Sequence, residues 1–421
     1  MTAATLLATP SGTKIPTRHG EPHPCARTML GPLRWFVDGD PTPSPERWQA
    51  IGEAILRGDP PMDRLVDWMF ATGMGRTRPL FEQALERGIG TIPDAPAPLR
   101  EFFALVDTRP SWVDDRLVRA GARVAQRGGR VYWDVARDLS LMGGYQASAF
   151  NRTLLLTGAL QKGATRRIAE TASWWLDCTA DGGMERFGAG FKSTLRVRLI
   201  HALVRRHVAK LPTWRTDEWG LPVNQTDMAA TLYGFPVVIL FGGRLMGVPV
   251  SRRDSEAAMH HGCYAGWLMG VEEQWLPWDE NTGRTLLYQI TLSIARPDET
   301  SVQLGRALMD EPHTRPWPFP GRLRAWYERE RNLSINRFFL DGGSMRNLGL
   351  PKWRLPWYPL AQLPFTVARH LAARATPGGM ARLARRGYAQ QLAHLREHTG
   401  TKAARIGESA PRDLHAEHRA P

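Results

Sequence analysis

An all-α fold is predicted for this chain by three observations. Helix-start signals recur between Pro45 and Asp310, apolar residues behind them keep the helical period, and strand signals are scarce. No period-two alternation runs beyond a few residues, Asp341-Gly342-Gly343 is a turn without flanking strands, and no internal repeat is evident.

The elements follow in order. Residues 1–44 hold Pro10, Pro16, Pro22 and Pro24 and read as an irregular arm. Ser44 sets a capping hydroxyl ahead of Pro45, which stands at the first helical position, where its missing N–H costs no bond. Asp114 and Asp115 open an Arg-rich amphipathic segment. Asn224 stands three residues before Asp227 and Ser251 three before Asp254, a spacing that lets side chain and backbone cap one another. Gly128-Gly129, Gly182-Gly183 and Gly242-Gly243 read as stops. Residues 45–310 therefore form one helical domain. The run Arg315-Pro-Trp-Pro-Phe-Pro320 opens a Pro/Trp-rich boundary segment over 311–364; residues 365–400 read as a C-terminal helical segment and 401–421 as a disordered tail.

Composition narrows the function classes. With 43% hydrophobic residues, 16 Trp and 14 Phe, the chain can bury a large core. Cys25, Cys178 and Cys263 lie far apart, which excludes a disulfide framework and a zinc finger. Although the net charge is +14, only six of the 55 basic residues are lysine, they are spread along the chain, and no nucleic-acid-binding motif accompanies them. No nucleic-acid partner is expected. Met1 to Arg34 lacks the charged start, apolar core and small-residue site of an export signal. The most apolar stretch, Phe235 to Val250, is interrupted by Gly242, Gly243, Arg244 and Pro249. A cytoplasmic protein is expected on these grounds. Residues 344–400 hold nine Lys or Arg against one acid, Glu397, with Trp353, Trp357, Tyr358 and Phe365 interspersed. Such a mixture suits weak peripheral contact with an anionic membrane, and equally an extra helix packed on the domain with its arginines in water.

Two constellations carry chemistry. In Val197-Arg-Leu-Ile-His-Ala-Leu-Val-Arg205, a helical wheel puts Val197, Val204 and Val208 on one flank of His201 and Thr194, Arg198 and Arg205 on the other. A porphyrin iron needs such a set: an imidazole ligand, apolar contacts for the macrocycle and cations for its propionates. A hydrogen-bonded structural histidine satisfies the same pattern. The second set, Arg167, Glu170 and Thr171, falls on one helical face at i, i+3 and i+4. It suits binding dioxygen or relaying protons above a metal, and also an ordinary solvated ion pair. His260 with Tyr264 lacks further ligands, His207 lies on a helix flank, and no HExxH, Walker or GxSxG pattern occurs.

In order along the chain, Gly88-Ile89, Ile92-Pro-Asp-Ala-Pro96, Pro110-Ser-Trp-Val-Asp114, Thr157-Gly158, Arg167-Ile-Ala-Glu-Thr171, Arg198 to Arg205, Trp219-Gly-Leu-Pro-Val-Asn-Gln-Thr-Asp227 and Met246-Gly-Val-Pro249 resemble the latex-clearing protein (rubber oxygenase) and MpaB-type oxygenase superfamily. The resemblance covers roughly residues 45–310. It implies a globin-like helical core holding heme b, His201 as axial iron ligand, and Arg167, Glu170 and Thr171 on the distal side. It also implies cleavage of isoprenoid C=C bonds with dioxygen. Two departures stand out. Glu170 stands where rubber-cleaving members carry a distal lysine, and Asn151 near where they use a carboxylate base. The expected function is thus a heme-dependent oxygenase of an apolar, unsaturated small molecule, with cleavage of the polymer left open by the two departures. A heme-based gas-binding or sensing protein, and a helical interaction protein with a decayed site, are the alternatives.

Overall fold

The computed structural model describes residues 14–158 and 163–399, so the predicted tail at 401–421 lies outside the described residues. Helices make up the fold; among the described residues one isolated bridge, Ala147 with Arg296, is the sole β pairing. Ten of the helices position the candidate site and the C-terminal surface: α1 (Pro24–Arg34), α2 (Pro60–Thr72), α3 (Asp115–Arg127), α4 (Ser148–Leu156), α5 (Ala164–Thr179), α6 (Ala189–Val208), α7 (Arg252–Leu268), α8 (Gly321–Phe339), α9 (Trp357–Ala375) and α10 (Gly379–Thr399).

The caps read from sequence are formed. Ser44 accepts from the Arg47 N–H, Asp114 from Arg116 and Asn224 from Asp227, and Ser251 with Asp254 closes a full capping box. Three expectations give way. The N-terminal arm contains α1, because Pro24 takes a first-turn position under the His23 cap and Ala26, Leu30 and Leu33 bury against Tyr288, Leu292 and Ala295. Gly242-Gly243 does not end a helix; Pro236–Leu245 runs through it. Those glycines serve close packing, since a Cβ on Gly243 would stand 2.3 Å from Tyr132 Cε1. The boundary expected over 311–364 is occupied by the 19-residue α8, whose Leu333 buries with Trp133, Leu304 and Leu308. Proline breaks the chain before α8 without detaching it.

Glycine contacts also set the tightest helix pairs. A Cβ on Gly121 of α3 would meet the Ala257 carbonyl of α7 at 2.2 Å, and one on Gly387 of α10 would meet the Gln126 carbonyl of α3 at 2.0 Å. The α3 backbone is thus pressed between α7 and α10.

A buried ionic layer ties α8 and the 311–315 turn to a six-residue π-helical stretch, Ala136–Leu141. Arg315 donates to both carboxylate oxygens of Glu311 at 2.7 Å, Arg137 donates to the Leu308 carbonyl at 2.6 Å and pairs with Asp138, and Arg331 pairs with Asp134. Asn336 adds an amide bond to the Asp138 carbonyl at 2.9 Å. Burial alone would raise the Glu311 pKa; bonds from Arg315 and the charge of Arg137 outweigh it and hold Glu311 at about 2. Arg315–Glu311 and Arg137–Asp138 are neighbours in sequence, but nothing local pairs Arg331 with Asp134 or Asn336 with Asp138.

Histidines buried outside the candidate site make stability acid-sensitive. Burial pushes His261 and His398 down to about 4, helped for His398 by the Arg315 charge. In the unfolded chain both titrate near 6.5, so between 6.5 and 4 the unfolded state binds more protons. The stabilisation is complete above pH 6.5 and is lost as pH falls toward 4, at up to ~3 kcal/mol per group. The thermal midpoint should fall over that window. A midpoint constant from pH 7 to pH 4.5 would show that these imidazoles are charged in the fold.

Candidate functional site

Helices α5 and α6 form an antiparallel pair joined through a glycine-rich turn. Gly190 permits the approach, for a Cβ there would lie 2.4 Å from the Cys178 Cα. Across the pair, Trp174 Nε1 donates to Thr194 Oγ1 at 2.9 Å, and Thr194 donates to the Gly190 carbonyl at 2.6 Å. Trp174 opposes Thr194, and counting the same antiparallel register onward pairs Glu170 with Arg198 about one turn on and Arg167 with His201 about two turns on. The two constellations separated in sequence therefore occupy one stretch of the same helix pair.

His201 stands on α6 between Arg198 and Arg205. Its Nδ1 is buried and without a hydrogen-bond partner. Desolvation pushes its pKa down to about 4; the nearby Arg205 charge acts in the same direction and Asp59 against it. At neutral pH the imidazole is uncharged and presents a lone pair, the form that binds a metal. Val204 buries with Val208, Trp214, Trp219 and Ala149, with Ile200 against them, whereas Val197 joins the larger core around Phe102, Phe103 and Leu199. The two valines read as one flank thus pack into separate clusters.

Arg198 and Arg205 are engaged elsewhere than a propionate would require. Arg198 donates to both Asp59 oxygens at 2.6 and 2.7 Å and to the Leu268 carbonyl at 3.2 Å. Arg205 pairs with Asp63 and donates to the Val223 carbonyl at 3.0 Å. Both carboxylates sit at the start of α2, so these pairs fix α6 against α2 and aim the His201 face. Sequence reasoning missed Asp59 and Asp63. Two acids four residues apart at a helix start are the available signal, but it has meaning only once α2 and α6 are neighbours.

On α5, Arg167 makes no hydrogen bond or ion pair among the described residues. Burial lowers its pKa, with Tyr145 and Glu170 opposing. Glu170 is mostly buried and lies 3.8 Å from Arg166 one turn earlier. Thr171 is exposed. Asn151 of α4 is fully buried, its amide donating to the Tyr145 carbonyl at 2.7 Å and to Thr300 Oγ1 at 3.2 Å. An amide held in this way pins α4 and cannot act as a base.

Among the described residues the fold is helical, and one helix pair carries an imidazole with an unpartnered Nδ1 and an arginine whose pKa burial lowers. Residues 133–374, more than half the chain, match the family described as ER-bound oxygenase mpaB/B'/Rubber oxygenase, catalytic domain, and the chain belongs to that family. The match takes in α4 to α8 and nearly all of α9, and it runs beyond the boundary expected at 310. The rubber oxygenase of Streptomyces sp. (strain K30) is 27% identical over 204 residues, which are 47% of this chain and 48% of that protein. The chain thus spans about half the length of the curated relative it matches. The solved closed-state structure of a latex clearing protein, LCP, shares the fold, with a TM-score of 0.57 at 19% identity over 80% of this chain and 91% of that one.

Proposed function

We propose that this protein is a heme b-dependent oxygenase that uses dioxygen to oxidise, by C=C cleavage, an apolar isoprenoid-like or otherwise unsaturated small molecule. The observation carrying the reading is His201, an uncharged imidazole whose buried Nδ1 has no partner. Among the described residues no cluster of three or more His, Cys, Asp or Glu side chains is placed to cage a metal. A lone imidazole suits a metal whose remaining ligands come from a macrocycle.

His201 would hold the heme, with Ile200 and Val204 offering apolar contact. A bound heme supplies an iron at which dioxygen is activated. The chain's own residues do the rest. Arg167 would supply a fixed positive charge beside the group that heme would provide. Glu170, 3.8 Å from Arg166 and close enough to act on the Arg167 charge, would carry a proton between solvent and the site. The Arg198–Asp59 and Arg205–Asp63 pairs orient α6. Family relationship to a rubber oxygenase supports an apolar, unsaturated substrate. Glu170 in place of a distal lysine, and Asn151 in place of a carboxylate, favour a small molecule over the polymer.

The test is the purified full chain from heme-supplied cells. An intense Soret band near one heme per chain is expected, with dioxygen uptake rising on addition of unsaturated isoprenoids. A colourless protein would end the heme reading. A pigmented protein whose uptake never exceeds the substrate-free rate would remove the oxygenase activity and leave gas binding.

A further inference from the structure

The proposed oxygenase site leaves unexplained a broad exposed apolar surface near the C-terminus. On α9 the buried positions are Pro359, Thr366 and His370, and the helix lies with Val367 and Leu363 over Gly247 and with the Tyr358 N–H donating to Ser334 Oγ of α8 at 2.9 Å. The opposite face carries Trp357, Leu360, Pro364, Phe365, Ala368 and Leu371, every one exposed and none charged. Leu360 is 58% exposed, Phe365 70% and Leu371 54%. The loop before it adds Trp353 at 81% and Leu355 at 79%. Tyr327 contacts Trp357, its ring centre 6.2 Å away, and extends the surface onto α8, where Leu323, Arg324, Trp326, Tyr327 and Glu328, with Trp317 before the helix, line a groove of about 470 Å³. Isolated exposed apolar residues are common, but a continuous helix face of this kind marks a binding surface.

Charge identifies the partner. From Gly342 to Arg396 the chain holds nine Lys or Arg and no Asp or Glu. Arg354 and Arg374 lie near Glu330 and Asp254, but Lys352, Arg322, Arg324, Arg382, Arg385 and Arg386 are exposed, and Lys352 sits over the Trp353 ring at 5.3 Å. A second copy of the chain would bring the same cations against these and be repelled. A hydrocarbon chain would leave them without partners. A layer with phosphates outside and acyl chains beneath matches both features, and tryptophan prefers that boundary.

We propose that the exposed face of α9, with the Lys352–Leu355 loop, docks on an anionic phospholipid membrane surface. The helix lies in the interface plane with Leu360, Phe365 and Leu371 in the acyl boundary and the cations at headgroup level. Docking is peripheral, and it is independent of whether His201 binds a heme.

The full chain is to be mixed with vesicles of equal parts phosphatidylglycerol and phosphatidylcholine, and with vesicles of phosphatidylcholine alone, and the bound fraction read by flotation. Binding is expected to the anionic vesicles, with loss of most of it in about 1 M NaCl, where screening acts within ~3 Å. Phe365→Ser should weaken the partition about tenfold and Lys352→Glu about fivefold or more. Both positions are exposed, so an unchanged thermal midpoint confirms that folding is kept. Absence of binding, equal binding to neutral vesicles, or full binding by Phe365→Ser would overturn the proposal. So would a stable dimer in sedimentation that Phe365→Ser dissociates, because a second copy would then own the face.

Discussion

His201→Ala should abolish heme binding while the chain still folds. The substitution removes the imidazole from a site whose Nδ1 has no hydrogen-bond partner to lose, so the packing cost is that of a ring rather than of a broken polar network. Heme content, read as Soret absorbance per chain, should drop at least about tenfold, since the ligand bond has no substitute on that face. His201→Gly with added imidazole should recover part of the band, which a purely structural histidine would not allow. Heme retained at full stoichiometry by His201→Ala would move the iron ligand elsewhere and leave Arg167 without its role beside bound oxygen.

Asp59→Ala should be the most destabilising single change in the neighbourhood of the site. It leaves the Arg198 guanidinium, 5% exposed, without its carboxylate inside the α2–α6 contact. Removing one partner of a buried pair costs about 3–5 kcal/mol, because the remaining charge is stranded away from water. Replacing both partners by apolar residues, Asp59→Leu with Arg198→Met, should restore most of the loss, measured as the denaturant or thermal midpoint. The double variant also separates two roles for Arg198. Normal heme content would show that Arg198 holds helices together; heme loss in a stable protein would give it the propionate role read from the helical wheel. An Asp59→Ala protein as stable as the parent would mean that the pair is solvated in solution.

The helical caps are legible in the sequence because capping is local. Ser44, Asp114, Asn224 and Ser251 each act on an N–H two or three residues ahead, within reach of sequence spacing. Gly242-Gly243 misleads for the complementary reason. A glycine pair signals a helix end or a close approach equally well, and the presence of Tyr132 against Gly243 is a fact of the neighbouring helix. The proline run from Arg315 does break a helix, but a broken helix is not a domain edge. What keeps α8 in the same body is the layer of Arg137, Asp138, Glu311, Arg315 and Arg331, in which Arg137–Glu311 and Arg331–Asp134 join residues far apart along the chain.

By itself the sequence determined that the chain is helical, where four of its helices begin, and that His201 shares a helix with apolar neighbours and two arginines. Each rests on interactions within a turn or two, where periodicity and caps have force. Only the tertiary structure decided what those neighbours do. Arg198 meets Asp59 at a separation of 139 residues, Val197 and Val204 enter different clusters, and Arg167 comes level with His201 through the register of two helices. Charges and apolar groups find partners by proximity in space, and no spacing along a chain fixes that before the helices pack.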